Sequence, residues 1–114
     1  MPYICVSVSK TLEANQKEQL KAELGRLITL VPGKTEEVTM VRIEDGCTLY
    51  KAGKALGNGA FIEVRLYGAA PQRDKEKFTE AVFQSMEKLL GTQPGDIYLN
   101  IFEMESWGTK GKLK

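Results

Sequence analysis

Apolar residues recur along this chain in two registers, first at every second position and then at every third or fourth, and the succession occurs twice. Tyr3 to Ser9 alternates, with Ile4, Val6 and Val8 on one face, the spacing of a half-buried strand. From near Asn15 the period lengthens, and Leu20, Leu24, Leu27, Ile28 and Val31 make a helical stripe. Asn15 and Glu18 stand at capping-box spacing where that helix should start, and Pro32-Gly33 should stop it. Thr39 to Ile43 alternates again as a second strand. After a glycine-rich stretch the order repeats. Phe61 to Tyr67 is a strand with Ile62, Val64 and Leu66 on one face, and Pro71 and Asp74 precede a second helix. Its stripe is Phe78, Ala81, Val82, Met86 and Leu89, and Gly91 ends it. Ile97 to Phe102 closes the pattern as a strand.

A shift of 58 positions superposes the halves: Ile4, Val6 and Val8 fall on Ile62, Val64 and Leu66, and Gly33 falls on Gly91. Few letters are shared, so the repeat is one of structure. Residues 1–114 therefore read as a single α+β domain of two βαβ halves, about residues 2–45 and 60–104. The expected architecture is βαββαβ, a four-stranded mixed sheet with two helices on one face. Asp45 to Gly59 reads as a connector, with a short extra strand near Cys47 to Tyr50; it lacks the spacing of a phosphate-binding loop. The face without helices would carry Tyr3, Cys5, Ser7, Met40, Arg42, Phe61, Glu63, Arg65, Tyr67, Tyr98, Asn100, Phe102 and Met104. That mixture is too aromatic for plain solvent surface and too polar for a second core. It fits sheets from several subunits meeting around a wet centre, the alternative being a monomer with a half-apolar open sheet.

Composition narrows the chemistry. The chain has no histidine, which removes a Ser-His-Asp triad, a Cys-His pair and a His-based metal site. Cys5 and Cys47 form no C-x-x-C, so no metal and no redox pair is expected. The net charge of +1 points to neither nucleic acid nor membrane, and the basic end, Lys110 to Lys114, reads as a solvated tail. There is no signal-peptide pattern and no apolar run near the ~18 residues of a membrane span, so a reduced, cytoplasmic protein is the expectation.

Taken in order on the repeat, several short motifs resemble the macrophage migration inhibitory factor branch of the tautomerase superfamily, over essentially all 114 residues. They are Met1-Pro2 directly before the first strand, Gly33-Lys34 after the first helix, Tyr98-Leu99-Asn100 after Gly95-Asp96-Ile97, and Met104 and Trp107 near the end. The resemblance implies a homotrimer and removal of Met1, so that the amine of Pro2 becomes the catalytic base of a keto–enol tautomerase acting on phenylpyruvate-like α-keto acids. It implies no cofactor. The role suits the group: a chain-terminal amine starts near pKa ~7.7–8.0, and an apolar pocket with a nearby cation lowers it further. Lys34 matches the family's lysine, which supplies that cation and holds the substrate carboxylate. Tyr67 matches a pocket position beside the third strand that is usually isoleucine. Tyr98 and Asn100 match a pair that the neighbouring subunit contributes, Trp107 a tryptophan at the pocket rim, and Tyr3 should lie at the entrance.

The chain also departs from the family. A pocket tyrosine is Val38 here and a serine is Leu66, which leaves substrate preference open. The C-x-x-C of the mammalian members is missing, so their thiol-oxidoreductase activity is not carried over. Arg42 and Arg65 are expected to pair with Glu44 or Glu63. An arginine-assisted reaction of the superfamily, a decarboxylation, dehalogenation or hydration of a small acid, is one alternative. Another is a cytokine-like, receptor-binding protein with a vestigial pocket, since members of this family are secreted without a signal peptide by a non-classical route.

Overall fold

The first alternating run of each half pairs with the other at the centre of the sheet. In the computed structural model, which describes residues Met1 to Lys114, the order of elements is β1 (Pro2–Val8), α1 (Ala14–Leu27), β2 (Met40–Glu44), β3 (Tyr50–Lys51), β4 (Lys54–Ala55), β5 (Ala60–Tyr67), α2 (Gln72–Leu90), β6 (Ile97–Met104), β7 (Gly108–Thr109) and β8 (Lys112–Leu113). The main sheet runs β2-β1-β5-β6. β1 and β5 are antiparallel, with Pro2 opposite Leu66 and Val8 opposite Ala60. Each outer strand is parallel to the inner strand of its own half, as a helix crossover requires. The expected βαββαβ fold is the one found.

The helices cover one face because the apolar stripes demand it. Ile4, Val6 and Val8 of β1 and Ile62, Val64 and Leu66 of β5 are buried with Leu20, Leu24 and Ile28 from the first helical segment and Phe78, Val82 and Met86 from the second. Each such side chain contributes about 1.5–3 kcal/mol by leaving water. Leu90, not Leu89, completes the second stripe: Leu90 is 3% exposed and Leu89 only partly buried. Gly91 ends α2 with φ +69°, the left-handed conformation that glycine adopts without a Cβ clash.

Four local expectations are corrected. The capping box of α1 is Glu13–Gln16, with the Glu13 N–H donating to Gln16 Oε1 at 2.8 Å, not Asn15–Glu18. β2 begins at Met40, not Thr39, because Glu36–Val38 forms a 3-10 turn that the Thr39 N–H closes on the Glu36 carbonyl at 3.0 Å. The extra strand of the connector lies at Tyr50–Lys51 and folds back on Lys54–Ala55. The basic tail is no loose end: β7 and β8 pair as a hairpin whose two-residue loop, Lys110-Gly111, has φ +52° and +81°, the signs of a type I′ turn. No helix is long and apolar enough to cross a membrane.

Candidate active site

The N-terminus is fixed as the last rung of the central ladder. Beyond the Pro2–Leu66 pair, the Tyr67 N–H donates to the Met1 carbonyl at 3.2 Å. Pro2 is buried, and its nitrogen here forms the peptide bond to Met1. The chain between α1 and β2 turns back toward the same place. In Val31-Pro32-Gly33-Lys34 the Lys34 N–H donates to the Val31 carbonyl at 3.1 Å, and Gly33 has φ +77°. Proline at the second position and a left-handed glycine at the third are the marks of a type II turn. That turn sends the Lys34 side chain to the end of β5, where its Nζ donates to the Tyr67 carbonyl at 2.8 Å.

The result is an amine beside a lysine. The α-amine of Met1 is held below its ordinary pKa, first by burial and then by the neighbouring Lys34 ammonium. Two like charges repel, so this neighbour favours the neutral amine. Lys114 acts on the same amine from the C-terminal hairpin.

A cavity of about 1020 Å³ opens at this end of the sheet. Pro2, Tyr3, Val38, Met40, Met104 and Trp107 supply its apolar wall. Trp107 meets Tyr67 edge to face, the ring centroids 6.5 Å apart. The hairpin that follows Trp107 folds across the opening, with the Lys114 N–H donating to the Trp107 carbonyl at 2.7 Å. Lys110, Lys112 and Lys114 line the cavity as a consequence. Composition concealed them: two-residue strands are too short to show a period, and lysine is an uncommon residue at positive φ. The glycine that follows it, Gly111, was the available signal.

The structure puts Pro2, Tyr3 and Trp107 in the cavity wall, sets Tyr67 against Trp107 and Lys34 on the Tyr67 carbonyl just outside it, and leaves Tyr98 and Asn100 apart. Tyr98 pairs with Phe61 and Pro2 with Leu66, five steps along β5, which is roughly 17 Å. Tyr98 is 60% exposed, with the Lys51 ammonium 5.1 Å from its ring centroid. The Asn100 Oδ1 is buried without a hydrogen-bond partner. Arg42 is paired with Glu44. Arg65 reaches Glu63 at 3.8 Å and lies over the Tyr3 and Phe102 rings. No three His, Cys, Asp or Glu side chains are grouped to hold a metal ion.

No family model and no curated protein sequence matches the chain. Solved structures do. MIF2 of Leishmania major superposes with a TM-score of 0.91 at 21% identity, over 100% of this chain and 97% of that one. The chain has the fold of the macrophage migration inhibitory factor proteins. The fold extends to Pt0534, described as inactivated by 2-oxo-3-pentynoate, at a TM-score of 0.85 and 14% identity over 96% of this chain and 93% of that one. A fused 4-OT protein, described as an asymmetric trimer, superposes at 0.84 and 15% identity over 96% and 94% of the two chains. In this chain the end of the sheet that holds Pro2 is also where the turn after α1 and the C-terminal hairpin converge.

Proposed function

We propose that the protein is a keto–enol tautomerase of α-keto acids of the phenylpyruvate type, with Pro2 as its general base once Met1 has been removed. The observation that carries this reading is the α-amine beside Lys34 at the mouth of an apolar cavity, held below its ordinary pKa. Removing one residue shortens the chain by one peptide unit and leaves a secondary amine, restricted by its ring, at the end of the same β1–β5 ladder. Both cations and the burial then act on that amine, which favours its neutral, basic form near pH 7.

The reaction asks for little else. The neutral amine takes the proton of the enol and returns it to the carbon α to the carbonyl, so atoms and electrons balance without a cofactor. Lys34 keeps two of its three N–H donors for the substrate carboxylate after bonding the Tyr67 carbonyl. Trp107, Tyr67 and Tyr3 receive the body of the acid. The inactivation of Pt0534 by an electrophilic 2-oxo acid supports a 2-oxo acid site in this fold. Arg42 and Arg65 already have acidic and aromatic partners, which weighs against an arginine-assisted reaction.

Assembly belongs to the proposal. Three chains meet through the face that the helices leave open, and a neighbour's Tyr98 and Asn100 complete each cavity. The deciding experiment is phenylpyruvate ketonisation at pH 7 by protein whose loss of Met1 is confirmed by intact mass. Turnover is expected, with most of it lost in Pro2→Gly; a Pro2→Gly protein that turns over at the wild-type rate would sink the assignment.

A further inference from the structure

We propose that Lys114 binds a second anionic group of the substrate, so that among straight-chain 2-oxo acids the site selects those whose side chain ends in an anion over those that end in an alkyl group. The inference rests on the reading of this cavity as a 2-oxo acid site and names the substrate class it takes.

The cavity wall carries four cationic side chains, Arg65, Lys110, Lys112 and Lys114, and not one aspartate or glutamate. Arg65 is already engaged by Glu63 and by two aromatic rings. The three lysines are not: none takes part in any of the ion pairs of the chain, and neither does the α-carboxylate after Lys114. Lys34, outside the cavity wall but acting on the Met1 amine, is a fifth cation without an acidic partner. Concentrating unpaired positive charge around a cavity of low polarity is unfavourable for the empty protein and favourable for an anion that enters. One substrate carboxylate answers Lys34 and leaves the hairpin unanswered.

Among the hairpin lysines the geometry singles out Lys114. Its N–H is bonded to the Trp107 carbonyl at 2.7 Å, and its ammonium is 5.5 Å from the centroid of the Tyr67 ring. It is also the one hairpin lysine that acts on the N-terminal amine. Tyr67 thus holds a cation at each end, Lys34 on its carbonyl and Lys114 over its ring. A 2-oxo acid with its first carboxylate on Lys34 and its reacting carbon near the amine has its far end within the hairpin's reach.

The test uses two acids of equal length that differ at that far end, 2-oxoglutarate and 2-oxopentanoate, with the full chain lacking Met1. Binding is read from the fluorescence of Trp107, the single tryptophan, which lies in the cavity wall. The same measurement is made in Pro2→Gly, where no turnover disturbs it. Preference for 2-oxoglutarate by about ten-fold or more is expected, the size of a charge-assisted contact. It should fall below about three-fold in Lys114→Gln and persist in Lys114→Arg. Should Lys114→Gln fail to fold, the wild type alone decides: the preference must shrink as salt rises from about 0.02 to 0.5 M, which screens charge but leaves shape intact. Equal affinity for the two acids, a preference that survives Lys114→Gln whatever its response to salt, or a preference indifferent to salt, overturns the inference. A Lys114-dependent preference without turnover of any 2-oxo acid would retain it and reject the tautomerase reading instead.

Discussion

Pro2 and Lys34 lie 32 positions apart in the chain and are brought together by two ordinary local devices, a strand that starts at the second residue and a type II turn at Pro32-Gly33. Their coupling has a sign that can be tested. A cation beside an amine lowers its pKa, and burial does the same, the direction found for the α-amine at this place. Activity that needs the neutral amine is therefore full above the lowered pKa and disappears as pH falls through it. Lys34→Gln removes the stronger of the two neighbouring charges, so the amine's pKa climbs back toward ~7.7–8.0. The acid limb of kcat/KM should move to higher pH in that variant, and KM for the keto acid should rise as the carboxylate loses its anchor. A pH–rate profile between about pH 5 and 9 reads both effects; an acid limb that stays in place would show that Lys34 does not act on the base.

At the scale of elements, two contacts fix the parts that carry the site. The Asp45 carboxylate, just past β2, accepts the Leu12 N–H at 2.9 Å and pairs with Lys17 at 3.3 Å, tying the end of β2 to the start of α1. The Leu12 N–H first and Lys17 second hold its pKa below the ordinary value. A depressed folded pKa contributes stability above the unfolded value, about 3.9, that is lost as pH falls through the folded one. Asp45→Asn should melt at lower temperature at pH 7 and lose less on going to pH 3 than the wild type, as thermal melts at the two pH values will show. The C-terminal hairpin depends on Gly111 at φ +81°. Gly111→Val puts a β-branched residue in the left-handed region at a cost of roughly 1–2 kcal/mol, and should open the hairpin, shift Trp107 emission to the red and weaken anion binding. These elements were unequally legible. Long periodic stretches, the stripes of both helices and the inner strands, announce themselves because burial on one face imposes the period. The hairpin at residues 108–113 does not, since neither arm exceeds two residues and its loop begins with lysine. The three lysines it positions were accordingly read as a solvated tail.

At the scale of the whole molecule, the face away from the helices does not behave as finished surface. Met40 is 68% exposed on β2 and Tyr98 60% exposed on β6, while the Asn100 Oδ1, two residues on from Tyr98 in the same strand, is shut from water with nothing to bond. A buried acceptor left unpaired costs about 1–3 kcal/mol, and apolar side chains left in water forgo their burial energy. The neighbouring subunit of the proposed trimer would answer both. Periodicity revealed the composition of this face but not its partner, because a repeat within one chain carries no information about a second chain. The protein should sediment at about three times the 12.7 kDa mass of the chain, and Met40→Asp should dissociate it. The sharper test is complementation. Pro2 and Asn100 are on different strands at different heights of the sheet, so a cavity that needs both draws them from two chains. Pro2→Gly and Asn100→Ala should each be nearly inactive alone. Refolded together in equal amounts, they place an intact Pro2 against an intact neighbouring Asn100 in roughly a quarter of the cavities, and activity should return to about that fraction. If both residues of a site came from the same chain, every mixed cavity would carry one defect or the other and mixing would restore nothing.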